Sequence, residues 1–182
     1  ARHWIEFGID GWRLDVPNEI DAPSFWRTFR DVVKRADPDA YLVGELWSEA
    51  TDWLKGDRFD GAMNYPLVGP TLSFFGGSSL RNYSKSHLRF KALQAAPFAQ
   101  TVKQLFEANE WEATCAQLNV LDSHDMARAL WILGENKAAL RQAVLFQMTV
   151  PGAPCIYYGD EIGMEDGEIP PDRVLDPAET SV

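Results

Sequence analysis

The chain has 182 residues, of which 46% are hydrophobic and 24% charged, the balance of a globular fold with a buried core. Its net charge of -10 and pI near 4.7 argue against nucleic acid or an anionic membrane surface as partner and favour a neutral or cationic ligand. No apolar run reaches the roughly eighteen residues that a bilayer span needs, and Ala1-Arg2-His3-Trp4 lacks the apolar core of a signal peptide. This leaves the compartment open, with a lean to the cytoplasm.

Gly8 to Asp15 reads as a first strand whose pleat sends Arg13 and Asp15 to one face and Trp12 and Leu14 to the other. A guanidinium then sits beside a carboxylate, and Pro17 ends the strand with Asp15 near its C-terminal tip. Asp21 and Pro23 open a helix in which Phe25, Trp26, Phe29, Val32 and Val33 recur at helical spacing, closed by Asp37-Pro38. The second strand is 41–47, apolar except for Glu45, followed by a short helix over 50–54 that stops at Gly56. The third strand is 59–65. From 67 to 109 the pattern is helical but interrupted at Gly76-Gly77 and over 81–87, with its best helix starting at Pro97. The fourth strand, 116–122, leads into Ser123-His124-Asp125. A helix over 136–149 carries a stripe of Leu140, Val144, Leu145 and Met148, and the fifth strand, 153–158, ends at Gly159-Asp160-Glu161. Cys115 and Cys155 fall at or within these last two strands, where they count as small buried apolar residues. His3 and His87 read as surface residues, and the tail around Ile169-Pro170-Pro171 as a loop.

Strands alternating with helices imply parallel βαβ units. Asp15, Glu45, Asp125 and the 159–161 turn all fall at C-terminal strand tips on different strands, where a (β/α)8 TIM barrel assembles its site, and no glycine-rich phosphate turn favours an open doubly wound sheet. Five strands cannot close an eight-stranded barrel that needs about 250 residues. The expectation is therefore an α/β, partial (β/α)8 barrel with unpaired edges, prone to self-association unless the missing half is supplied.

Three acids at three tips, with His124 beside one and Arg13 two residues before another, suit retaining glycoside hydrolysis, which needs a nucleophilic carboxylate, a carboxylic acid as proton donor, and further charge for an oxocarbenium-like transition state. Glu45, between Gly44 and Leu46-Trp47, has the apolar setting that suits a proton donor. Gly8-Ile9-Asp10-Gly11-Trp12-Arg13-Leu14-Asp15, Gly44-Glu45-Leu46-Trp47 and Leu121-Asp122-Ser123-His124-Asp125 resemble, in order, the second to fourth signature regions of the α-amylase family, glycoside hydrolase family 13. Tyr158-Gly159-Asp160-Glu161-Ile162-Gly163-Met164 resembles that family's turn after the eighth barrel strand.

The resemblance implies barrel strands four to eight, an α-glucan oligosaccharide substrate, Asp15 as nucleophile, Glu45 as general acid/base, Asp125 as transition-state stabiliser, and Arg13 and His124 as sugar contacts. It implies no cofactor for the chemistry and no metal on these residues; calcium would belong to the full-length protein through residues outside this chain. Glu19, the Met63-Asn64-Tyr65-Pro66-Leu67 stretch and Ser123 resemble the cyclomaltodextrinase, neopullulanase and maltogenic amylase branch, with Glu19 lining the aglycone side. Trp47 and Tyr65 are candidate sugar platforms, Asp160 and Glu161 loop braces, and Arg173 stands where the branch pattern departs. Two other readings stay open: a metal-dependent barrel hydrolase using Asp122, His124 and Asp125, and an inert half-barrel or interaction module.

Overall fold

In the computed structural model, which describes residues 1–85 and 88–166, five short parallel segments lie side by side in chain order. Strand β1 (Gly11–Leu14) pairs with β2 (Tyr41–Gly44) in the register Gly11 to Tyr41 and Leu14 to Gly44, and β2 pairs with β3 (Gly61–Ala62). A single bridge from Met63 to Leu118 then joins β3 to a later pair, β6 (Leu118–Asn119) and β7 (Ala153–Pro154). The result is an open arc of parallel strands with helices between them. His87, Ile169-Pro170-Pro171 and Arg173 lie outside the described residues.

A helix the sequence did not suggest, α1 (Arg2–Phe7), precedes the arc and ends at Gly8, whose φ of 114° returns its N–H to Ile5 and Trp4. It displaces the expected strand start from residue 8 to 11. Gly11 is needed at the seam, because a Cβ there would lie 2.1 Å from the Tyr41 carbonyl oxygen. Helix α2 (Pro23–Ala36) has proline in its first turn and Lys34 and Arg35 in its last, both favourable placements. Its buried face carries Trp26 and Val33 onto Leu14, Leu42 and Phe59, and the Trp26 indole donates to Pro17 O at 3.1 Å.

A second core surrounds α3 (Tyr65–Gly76), where Tyr65, Val68 and Leu72 pack with Val43, Val120, Leu130 and Leu133. After α3, β4 (Ser84–Lys85) pairs antiparallel with β5 (Leu88–Arg89), before α4 (Ala95–Glu107) and α5 (Trp111–Cys115). Cys115 is thus an exposed helical residue, and Cys155 is half-buried just past β7, so neither is the buried strand cysteine expected. Short helix α6 (Ala129–Ile132) leads to α7 (Lys137–Thr149), whose N-cap Asn136 accepts from the Ala138 and Ala139 amides. Leu140 is buried but Leu145 and Met148 face solvent, which splits the expected apolar stripe.

The expected strands 59–65, 116–122 and 153–158 shrink to two paired residues each, and buried side-chain amides bond the backbone around them. Gln117 accepts from Ala62 N, Asn64 donates to Asn119, and Asn119 donates to Pro151 O. Gln147 on α7 donates to the carbonyls of Asn119 and Cys155.

Asp60 ties α2 to the arc, accepting from Leu42 N at 2.9 Å and pairing with Arg30 at 2.8 Å and Lys34 at 2.9 Å. Burial pushes its carboxyl up, but Lys34 and Arg30 outweigh this and hold it below the usual carboxylate range. Its stabilisation is therefore full above the unfolded carboxylate range and lost as pH falls through the depressed value. Asp60→Ala should cost about 2 kcal/mol at neutral pH, read as a lower melting midpoint, with the gap to the parent closing in acid.

Candidate active site

The pleat of β1 sends Arg13 and, just past the strand, Asp15 to the same side. Arg13 Nη1 donates to Asp15 Oδ1 at 2.5 Å, while Nη2 of the same guanidinium lies 2.7 Å from Glu45 Oε1. The fork therefore spans two neighbouring strand tips, because the parallel register sets Leu14 opposite Gly44. Asp15 is open to solvent, its side chain 72% exposed, whereas Glu45 is 2% exposed. Arg13 beside Asp15 holds that carboxyl below the usual carboxylate range, against a smaller opposing effect of desolvation.

Val16 supplies what the sequence did not reveal. Its φ of 30° and ψ of 56° put a β-branched residue in the left-handed region, a strained placement that aims its N–H at Glu45 Oε2, 3.2 Å away. The following 3-10 turn, Pro17–Glu19, leaves Glu19 exposed and touched by Asn18 Nδ2 at 3.4 Å, outside this cluster of acids.

The turn after β6 brings His124 and Asp125 to the same end, with His124 Nε2 3.3 Å from Asp125 Oδ2. Glu45, His124 and Asp125 can each offer an atom within 4.8 Å of the others, the one such trio found among the described residues. Asp122 does not join it. It is 2% exposed, accepts from Ala129 N at 2.7 Å and faces Asp160, so the metal set of the alternative reading, Asp122, His124 and Asp125, is not assembled.

Tyr65 and Trp47 differ from expectation for a clear reason. Tyr65 is fully buried, its ring stacked on Trp47 with centroids 4.0 Å apart and planes 9° from parallel. Lys85 Nζ stands over the Trp47 ring at 5.9 Å. Tyr65 thus offers no free face to a sugar, and half-buried Trp47 lies between the Tyr65 ring and Lys85. The Tyr65 hydroxyl donates to Ser123 Oγ at 2.9 Å; burial first, then the charges of Glu45 and Asp125, push it up to about 12, against the Ser123 hydrogen bond.

Behind the site, Arg128 joins the turns after β6 and β7. It donates to Tyr158 O, lies 3.7 Å from Asp160 and stacks over Tyr157 and Tyr158, while its amide donates to Asp166. Glu161 accepts from Gly159 N, so this acidic turn braces itself. Burial, then the neighbouring Asp160 charge, push Asp122 up to about 8; burial also raises Asp160, so the pair holds a proton between them. A folded pKa above the unfolded value means stability is full in acid and falls as pH rises from about 4 to about 8. Asp122→Asn can still accept from Ala129 and donates permanently to Asp160. Its melting midpoint should therefore fall less than the parent's over that interval; parallel curves would contradict the shared proton.

The match to the alpha-amylase catalytic-domain family covers residues 1–181. The chain is 44% identical over 171 residues to a cyclomaltodextrinase of Geobacillus thermopakistaniensis and 46% identical over 166 residues to neopullulanase 2 of Thermoactinomyces vulgaris. These alignments cover 93% and 90% of this chain but 27% and 26% of the relatives, so it spans about a quarter of their length. The crystal structure of Ttha1563 from Thermus thermophilus superposes with a TM-score of 0.89 at 46% identity, over 98% of this chain and 38% of that one. An acarbose-soaked debranching enzyme of Nostoc punctiforme gives 0.88 at 44%, over 92% and 36%. With its acids gathered at the C-terminal tips of parallel strands, the chain belongs to the alpha-amylase family and carries part of the catalytic domain.

Proposed function

We propose that this chain carries the reacting groups of a retaining α-glucan hydrolase or transglycosylase that cleaves α-1,4 bonds, with α-1,6 bonds as a further class. β1, β2, β3, β6 and β7 are read as barrel strands four to eight, and 1–182 as the C-terminal part of the catalytic domain. Asp15 is the nucleophile, Glu45 the general acid/base, and Asp125 the stabiliser of the oxocarbenium-like transition state, with Arg13 and His124 holding the sugar. The observation that carries this reading is the guanidinium forked between Asp15 and Glu45. It keeps the two carboxyls near each other, as the roughly 5 Å spacing of retaining enzymes needs, and keeps the exposed one ionised. The relatives' names support cyclodextrins and pullulan, beside maltooligosaccharides, as substrates. Glu19 is proposed to meet the aglycone and half-buried Trp47 to meet the sugar with its exposed edge. The chemistry needs no cofactor, and calcium would bind through residues outside this chain.

The deciding experiment follows the anomeric configuration of the first product by proton NMR during cleavage of a maltooligosaccharide. The α-anomer should appear first, and initial release of the β-anomer would overturn the assignment of Asp15 as nucleophile. A divalent ion on Glu45, His124 and Asp125 is a second reading, favoured by their mutual reach. Activity surviving exhaustive chelation would exclude it. The edges of β1 and β7, with exposed Trp4, Phe7, Leu145 and Ile162, are proposed to pair with the missing barrel half or with another copy. A sharp monomeric size-exclusion peak would contradict that for the isolated chain.

A further inference from the structure

Tyr65 opens α3 at the tip of β3, Trp47 follows β2, and Ser123 follows β6, so one buried contact chain links three strand tips. Ser123 is 4% exposed, and its Oγ accepts from Tyr65 Oη at 2.9 Å and from Asp125 N at 3.3 Å. A hydroxyl has two acceptor positions, and these bonds fill both. The Ser123 carbonyl also accepts from Met126 N at 3.1 Å, closing the turn that displays His124 and Asp125. Those two side chains pair with each other while 59% and 39% exposed, so their placement depends on the buried residue beneath them. The stack on Trp47 fixes the tyrosine ring, and the ring fixes the hydroxyl.

We propose that Tyr65 and Ser123 are positioning residues, and that the hydrogen bond between them sets the turn aiming Asp125 and His124 at the sugar beside Glu45. The proposal rests on the glycosidase reading and deepens it: Tyr65 touches no substrate and acts through Ser123. Misplacing a transition-state contact by a fraction of an ångström costs turnover more than ground-state binding.

The test uses the active catalytic domain containing this chain. Tyr65→Phe keeps the ring, its volume and its stack on Trp47, and removes only the donor; Ser123→Ala removes the acceptor. Each should lower kcat about ten-fold with KM within about two-fold, and the double variant should fall no further than the worse single one. Ser123→Thr, which keeps a hydroxyl, should recover most of the kcat lost in Ser123→Ala. Hydrogen exchange of the Asp125 amide should quicken in both single variants, a readout that does not depend on turnover. Losses that multiply in the double variant, full kcat in Tyr65→Phe, or unchanged Asp125 exchange would each overturn the proposal. Asp15→Asn, run alongside, separates the two failures: full activity there would overturn the glycosidase reading instead.

Discussion

Asp15→Asn should lower kcat by about 10⁴-fold or more on every substrate, whereas the loss in Glu45→Gln should depend on the leaving group. Asparagine keeps the shape of aspartate and its place beside Arg13, but its amide oxygen carries no charge and is a poor nucleophile for an anomeric carbon. Nothing in the substrate can compensate, so the deficit is uniform. Glutamine at 45 still fills the buried slot between Arg13 and Val16 N but has no acidic proton to give. A sugar hydroxyl leaves only if protonated, and fluoride leaves without help. Glu45→Gln should therefore lose about 10²–10⁴-fold on maltotriose and far less on α-glucosyl fluoride. Steady-state rates on these two substrates decide the matter. Unchanged turnover in Asp15→Asn, or an equal loss on both substrates in Glu45→Gln, would remove the corresponding role.

The Arg13 and Asp15 pairing was legible because a two-residue period is local: any strand there puts them on one side. The second partner of the guanidinium was not, since Glu45 reaches it only through the register of β1 on β2, a tertiary fact. Helices α2, α4 and α7 announced themselves by periodicity and by Pro23 and Asn136 at their starts. The ends of β3, β6 and β7 did not, because Gln117, Asn119 and Gln147 satisfy backbone groups with side-chain amides that leave no periodic trace. The same limit applies to Tyr65. An aromatic at a strand tip reads equally as a sugar platform or as packing, and the stack on Trp47 with the bond to Ser123 decides for packing. Val16 gave no signal, since a valine before Pro17 suggests extended backbone, and its left-handed conformation is imposed by the turn that carries its N–H to Glu45.

Arg13→Met should be nearly as damaging as loss of an acid, and it should also move the pH profile. Methionine fills much of the volume of the arginine stem but gives no donor to Asp15 and no cation beside the buried Glu45, so the two strand tips are no longer tied together. Arg13 is also the largest influence holding Asp15 below the usual carboxylate range. Without it the nucleophile gains its proton at a higher pH, so the acid limb of kcat/KM should shift upward, and activity at neutral pH should fall about 10²-fold or more. Arg13→Lys isolates the geometry from the charge. An ammonium keeps the positive charge but is a single point, unable to bond Asp15 and at the same time lie against Glu45 on the next strand. It should therefore restore much of the acid limb, through whichever acid it pairs with, while recovering only part of kcat. An acid limb that stays in place in Arg13→Met would show that the ionisation of Asp15 does not govern it. Full kcat in Arg13→Lys would show that charge alone, rather than the fork joining β1 to β2, is what the site requires.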